Sequence, residues 1–290
     1  MPARQPFTAL CQAAARPATS GRADLHVHTT HSDGAYTPAQ VVELARRSGL
    51  AAVAITDHAT LAGVPEARAH ASSHVEIIAG VEITAEYRAR ELHLLGYFVR
   101  VEDPPLTAAL ARLRAHRDKR FWDMVERLRT EGVSLDAEDL RRHLGTGVLG
   151  RRNLAVLLAG AGRVGSVREA FLRYLSDDGR VTLPKVRLPV EEAIALVRGA
   201  GGVAAWAHPS YDCNRESLSE LSRLGLAAIE ADYPAHRSGR GRELRALAAT
   251  FGLAVTGGSD CHGPDQPRRA IGACGVSANE LAILRSKVIG

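Results

Sequence analysis

Thiol chemistry has little to work with in this chain. Its 290 residues include four cysteines, Cys11, Cys213, Cys261 and Cys274, and no two of them form a CxxC pair. That spacing argues against a disulfide framework and against a thiolate zinc site, and a reducing compartment, the cytoplasm, is the expectation. Aromatic residues make up 4% of the sequence, too few for a platform on which successive bases of a nucleic acid stack. No apolar run approaches the ~18 residues of a membrane span, and no stretch reads as a heptad seam. Near the N-terminus, Phe7-Thr8-Ala9-Leu10-Cys11 is too short for the apolar core of a secretory signal, so residues 1–22 read as an extension. Lysine is scarce as well. Lys119, Lys185 and Lys287 are the lysines among 37 basic residues, and the net charge is +5. Arginine's planar fork suits phosphate better than an ammonium does, although a compositional bias toward arginine accounts for the excess equally well.

What the sequence does contain is a series of short apolar segments, at 24–28, 51–58, 75–84, 91–98, 203–209, 227–233 and 253–262. Their length and bounding turn residues predict buried strands. Helical patterns lie between many of them. Thr37-Pro38-Ala39-Gln40 offers a capping box with proline at the first helical position, Val41, Val42, Leu44 and Ala45 follow at helical spacing, and Gly49 is a natural stop. Pro189-Val190-Glu191-Glu192 opens another helix with acids in its first turn. This alternation predicts an α/β fold with a mainly parallel sheet, open or closed, whose chemistry gathers at the strands' C-terminal ends. Residues 104–175 differ. They are arginine-rich and helical, notably over 106–129 and 151–161, and read as an inserted helical subdomain between two parts of the main domain, 23–103 and 176–290.

Nearly every predicted strand ends in a residue that binds metals. Asp24-Leu25-His26-Val27-His28 places two imidazoles at i and i+2 on one strand face, and the following turn carries Asp33. Thr56-Asp57-His58, Gly80-Val81-Glu82, Glu91-Leu92-His93, Ala207-His208-Pro209 and Gly258-Ser259-Asp260-Cys261-His262 repeat the theme. Ionisable side chains at the ends of buried strands need partners, and so many of them predict a shared ion site. Imidazole and carboxylate donors without thiolate suit Mn²⁺, Zn²⁺ or Fe²⁺. Asp57 either orients His58 or holds the strand–loop junction. His31, His70, His74, His116 and His143 fall outside these motifs and are expected at the surface or behind the ligands.

The ordered motifs DLHVHTTHSDG, AITDH, GVEIT, ELHLLGY, AWAHP and GGSDCHG, from Asp24 to Gly263, resemble the PHP (polymerase and histidinol phosphatase) family of metal-dependent phosphoesterases. Within it, the chain is most similar to the stand-alone branch of nucleoside 3′,5′-bisphosphate phosphatases and 5′–3′ exoribonucleases. The resemblance implies a distorted (β/α)7 barrel with a helical insertion and a site of three divalent ions. Carried onto this sequence, His26, His28, Glu82 and Asp260 hold one ion, and Glu82 bridges to a second held also by His93 and His208. Asp33, His58 and His262 hold a third. Glu82, Asp260 and His208 are then the catalytic ligands around a hydroxide that bridges two ions and attacks phosphorus.

The branch's Gly-Arg-Pro-His segment reads Gly150-Arg151-Arg152-Asn153 here, which keeps the arginine and replaces the histidine. Arg151 is therefore a candidate for gripping a substrate phosphate, with Asn153 beside it. Arg117 and Arg120 share one helix face and either add phosphate contacts or lie solvated at the surface. His236, after a strand end, is a further candidate for the pocket wall. The implied substrate is a small phosphorylated nucleotide of the 3′,5′-bisphosphate type. A short oligonucleotide shortened from its 5′ end, or another small biosynthetic phosphate ester, is the alternative.

Overall fold

A computed structural model describes residues 21–71, 75–145 and 147–288. Most of the expected N-terminal extension, with Cys11, and also His74 lie outside the described residues. Eight strands form one sheet: β1 (Ala23–Val27), β2 (Ala52–Ile55), β3 (Glu76–Tyr87), β4 (Arg90–Tyr97), β5 (Leu188–Pro189), β6 (Val203–Trp206), β7 (Ala228–Asp232) and β8 (Ala254–Gly257). Seven follow one another in the order β1-β2-β3-β4-β6-β7-β8, and the two-residue β5 pairs with β3. The ring closes where β1 meets the segment after β8. There the His28 N–H donates to the Cys261 carbonyl at 3.0 Å and the Asp260 N–H to the His26 carbonyl at 2.8 Å. The helices are α1 (Pro38–Arg47), α2 (Gly63–His70), α3 (Pro104–Thr130), α4 (Ala137–His143), α5 (Arg151–Gly160), α6 (Val167–Ala170), α7 (Val190–Gly199), α8 (Arg215–Leu224), α9 (Arg240–Phe251) and α10 (Ala278–Arg285). The fold is the distorted α/β barrel expected from the motifs.

Local chemistry sets several of these elements. The Thr37 hydroxyl accepts the Gln40 N–H at 3.2 Å while the Gln40 side chain accepts the Thr37 N–H at 2.9 Å, closing the capping box at the start of α1. Distortion of the barrel comes from β4, which runs antiparallel to both β3 and β6 while the other ring neighbours are parallel. β3 and β4 are joined by Arg88 and Ala89 alone, both with positive φ (50° and 60°). Two-residue hairpins need that backbone, but they usually announce it with glycine or asparagine, so the sequence carries no hairpin signal here.

Two apolar layers hold the barrel. The outer one joins strand residues such as Val53, Val81 and Ile229 to helix residues such as Val41, Val64, Ile194 and Leu244. The inner one is narrow and rich in alanine, with Ala23, Ala52, Ala54, Ala205, Ala228 and Ala254, and Leu281 and Leu284 of α10 belong to it as well. Along β1, simple alternation would put Ala23, Leu25 and Val27 on one face, yet Val27 belongs to the outer layer. The pairing with β2 is irregular between Asp24 and Val27, and such a bulge re-aims the side chains that follow it. His26 and His28 therefore face inward, above Leu25.

A third apolar cluster, with Phe121, Met124, Leu128, Leu154, Leu158 and Leu175, gathers the helical region. Helix α3 serves both bodies, because its earlier residues Leu106, Ala109, Leu110 and Leu113 pack with the outer barrel layer. One glycine shows how closely the ring is drawn. A Cβ at Gly258 would lie 2.4 Å from the backbone nitrogen and Cβ of His26. Gly258→Ala is therefore expected to cost about 1–3 kcal/mol of stability through overpacking, read as a lower melting temperature. An unchanged melting temperature would show that β1 moves aside freely.

Candidate metal centre

The inward-facing rim of the barrel collects all nine sequence-predicted ligands. His26 and His28 follow the β1 bulge, Asp33 sits on the next loop, and His58 stands just beyond β2. Glu82 lies in the middle of β3 because that strand runs on past the rim, and His93 reaches the same level because antiparallel β4 starts where its neighbours end. His208 follows β6, and Asp260 and His262 follow β8. Eight of the nine fall into three overlapping groups, His26, His28 and Glu82; Glu82, His93 and His208; and His28, Asp33, His58 and His262, with Asp260 beside the first.

Glu82 lies between the groups. Its Oε2 is 3.5 Å from His26 Nε2, 3.2 Å from His28 Nε2 and 3.2 Å from His58 Nδ1. Its Oε1 is 2.7 Å from His93 Nδ1 and 3.2 Å from His208 Nε2. Asp260 is also two-sided. Its Oδ1 lies 3.4 Å from His26 Nε2, 3.2 Å from His28 Nε2 and 3.4 Å from His262 Nδ1. Its Oδ2 accepts hydrogen bonds from Arg269 and, at 3.0 Å, from the Tyr233 hydroxyl. Asp33 Oδ1 is 3.3 Å from His262 Nε2.

These groups perturb one another strongly. Burial opposes charge on His26, but Glu230, Asp260 and Glu82 overcome it and hold its pKa well above the ordinary value. Burial likewise disfavours charge on His28, but the adjacent carboxylates of Asp260 and Glu82 push its pKa up to about 10. Glu82, Asp33 and Asp260 are pushed up by burial yet lie well below the usual carboxylate range, because imidazoles surround them. His58 is lowered by burial, with Arg117 adding to the effect against the pull of Glu82.

Even so, His26 Nε2, both ring nitrogens of His28, His58 Nδ1 and Asp33 Oδ1 are buried without a hydrogen-bond partner among the described residues. Orphaned lone-pair donors converging from several strands are what divalent cations require, so the residues fit such ions.

Three non-glycine residues at the rim, Ala59, His208 and Asp260, have positive φ (52°, 31° and 51°). Backbone strain of this kind persists where surrounding contacts over-determine it. The Ala59 N–H donates to the Glu82 carbonyl at 3.0 Å, and the His208 N–H to Glu230 Oε2 at 2.6 Å.

The substrate candidates separate. Arg117, Arg120 and Arg151 line the cleft beside His58 and His93, together with Lys185, Arg152, His116 and Phe171. Arg117 and Arg120 are partly buried, which removes the solvated-surface reading. Arg117 Nε has no hydrogen-bond partner among the described residues, and burial lowers the guanidinium's pKa. Arg120 is tied by its Nε to the Leu183 carbonyl at 2.7 Å. Its pKa is lowered to about 10 by burial and by the charges of Arg151 and Arg117. Arg151 donates to the Leu175 carbonyl at 3.0 Å and to Asp177 at 2.7 Å.

Asn153 uses both ends of its amide elsewhere. Its Oδ1 accepts the Gly150 N–H at 2.7 Å, capping α5, and its Nδ2 donates to the Ser32 carbonyl at 3.2 Å. It ties the helical region to the loop that carries Asp33 and does not line the cleft. His236 packs edge-on against Tyr233, whose own ring lies 5.3 Å from that of His208, so Tyr233 stands between the two histidines. Asp57 holds the strand–loop junction: it accepts from the Thr29 N–H at 2.7 Å, the Ser32 hydroxyl at 2.6 Å and the Thr29 hydroxyl at 2.7 Å. Sequence reasoning missed Glu230, Lys185, Tyr233 and Arg269. Glu230 had a readable signal, a carboxylate inside the apolar strand Ala228-Ile229-Glu230-Ala231.

Residues 24–175 match the PHP domain model. The chain is 31% identical over 247 residues to a 5′-3′ exoribonuclease of Haemophilus influenzae, covering 83% of this chain and 90% of that protein. It is 29% identical over 256 residues to a 3′,5′-nucleoside bisphosphate phosphatase of Chromobacterium violaceum, covering 86% and 90%. A solved structure from Bifidobacterium adolescentis, described as a candidate metal-dependent phosphoesterase, superposes with a TM-score of 0.86 at 31% identity, over 95% of this chain and 99% of that one. The chain is thus an enzyme of the metal-dependent phosphoesterase class. It belongs to the PHP domain family.

If Glu82 joins two ligand groups, Glu82→Gln should remove more than one ion and abolish turnover while the chain stays folded. Metal content after dialysis, activity in excess Mn²⁺ and thermal melting, measured together, check this. Turnover within ~10-fold of wild type would contradict a bridging carboxylate, since ions at such centres supply several kcal/mol of barrier lowering.

Proposed function

We propose that this enzyme hydrolyses a phosphate ester of a small nucleotide that carries a second phosphate, of the 3′,5′-bisphosphate type. The observation that carries this reading is the wall of Arg117, Arg120, Arg151 and Lys185 along the same cleft as the ligand cluster. Four cations placed this close raise one another's free energy, an arrangement that a bound polyanion relieves. In this reading the nine rim residues hold three divalent ions, with His26, His28, Glu82 and Asp260 on the first, Glu82, His93 and His208 on the second, and Asp33, His58 and His262 on the third. When bound, such ions supply an activated water nucleophile and neutralise charge on the phosphate under attack.

The remaining work belongs to the protein. Glu82 sets the spacing of the first two groups. Asp260 turns one oxygen toward the imidazoles, while Arg269 and Tyr233 hold the other. Arg117, which lines the cleft with His58 and whose Nε has no hydrogen-bond partner among the described residues, is placed to meet the reacting phosphate. Arg151 takes the second phosphate, which displaces Asp177, a side chain 90% exposed and therefore weakly held. Its other donor contact, to the Leu175 carbonyl, keeps the guanidinium aimed during that exchange.

Adenosine 3′,5′-bisphosphate and a 5′-phosphorylated RNA 5-mer distinguish this reading from 5′-to-3′ exonuclease action. Phosphate release from the first supports it, and mononucleotide release from the second alone overturns it. Arg151→Ala is expected to lower kcat/KM by ~10²-fold on the bisphosphate, roughly 3 kcal/mol of charge-assisted contact, and to matter little on a mononucleotide. Arg151→Lys should rescue poorly, since an ammonium cannot reproduce the fork. Equal losses on both substrates would place Arg151 at the reacting phosphate or in the fold instead.

A further inference from the structure

We propose that Glu230, a fully buried carboxylate on β7, is a positioning residue that fixes one ligand in each of the first two ion groups from behind. This rests on the reading that the rim cluster binds divalent ions. Its two oxygens serve two different ligands. Oε1 lies 3.0 Å from His26 Nδ1, and Oε2 accepts the backbone N–H of His208 at 2.6 Å.

Each contact has a separate consequence. With an ion in place of the Nε2 proton, a carboxylate facing Nδ1 keeps the remaining imidazole proton there and aims the Nε2 lone pair toward Glu82 and Asp260. His26 Nε2 is among the buried atoms without a hydrogen-bond partner among the described residues. At His208 the carboxylate acts on backbone. A histidine at φ 31° is strained, and the hydrogen bond to Glu230 stabilises the turn that brings its Nε2 to 3.2 Å from Glu82 Oε1. The strand supplies the placement, because Ala228 and Glu230 share the inward face while Ile229 and Ala231 pack outward.

Glutamine in place of Glu230 keeps the volume but cannot satisfy both partners. Its single carbonyl oxygen can face one of them, and its NH₂ must face the other. If the NH₂ faces His26, Nδ1 becomes the acceptor and the proton moves to Nε2, which removes a ligand from the first group. If it faces His208, two N–H donors oppose each other and the strained turn is released, which loosens the second group. The third group, Asp33, His58 and His262, has no hydrogen bond to Glu230 among the described residues, and its loop is held by Asp57 instead.

The test compares wild type, Glu230→Gln and Asp33→Asn as full-length chains by equilibrium dialysis against Mn²⁺, with electron paramagnetic resonance to detect spin-coupled ion pairs. For Glu230→Gln, affinity is expected to fall ~10–100-fold at one or both of the sites that share Glu82 and stay unchanged at the third, with loss of the signal of the pair sharing Glu82. Asp33→Asn should do the reverse, losing one ion and keeping that signal. Should Glu230→Gln fail to fold, Glu230→Asp retains two acceptors one methylene short, and weaker binding at the sites sharing Glu82, with the third unchanged, is expected. A folded variant that binds three ions as wild type does, or one that loses all three alike, overturns the inference and assigns Glu230 to stability alone. Wild type binding no Mn²⁺ overturns the ion reading itself, and the inference with it.

Discussion

Five imidazoles converge on the two oxygens of Glu82, and the rest of the site is arranged around that convergence. A carboxylate buried to 2% exposure would normally be protonated or excluded. Here it stays ionised because His26, His28 and His58 face one oxygen while His93 and His208 face the other. That demand explains several irregularities of the barrel. β3 must run past the rim to carry Glu82 inward, β4 must run backward so that His93 arrives early on its strand, and β1 must bulge so that His26 and His28 turn inside.

The same demand explains where backbone strain is stored. Ala59, His208 and Asp260 are rim residues with positive φ, and each is held by a group that belongs to the cluster or backs it. Asp260 is held from two sides, by its own N–H on the His26 carbonyl and by Arg269 and Tyr233 on its outer oxygen. A strained turn fixed by buried charge is costly in isolation, and it is stable here because the charges need the turn as much as the turn needs them.

The helical region is attached where it matters for the cleft. The Val148 N–H donates to the His31 carbonyl at 2.8 Å, Asn153 reaches the Ser32 carbonyl, and Arg152 pairs with Asp265 beyond His262. Three ties therefore connect the cationic wall to the loops bearing Asp33 and His262. Asn153 is the residue whose meaning changed most: a position read as facing substrate is a helix cap and a tie between the two bodies. The change follows from what carboxamides do, since one amide both accepts the Gly150 N–H and donates to the Ser32 carbonyl.

The sequence by itself marked the candidate ligands, because a His, Asp or Glu in or closing an apolar strand needs a partner there. It also determined the α/β class through the alternation of short strands and capped helices, and the helical character of 104–175 through its composition. Tertiary structure decided which oxygen faces which ring, since that depends on the β1 bulge and on the direction of β4, neither of which leaves a periodic mark. It decided that Arg117 and Arg120 line the cleft, because burial of a helix face by a neighbouring body cannot be read from the helix's own residues. It also decided the place of Glu230, whose two partners lie 204 and 22 residues away in sequence. A carboxylate inside an apolar strand is visible in the sequence, but the two histidines it contacts are brought together only when the ring closes.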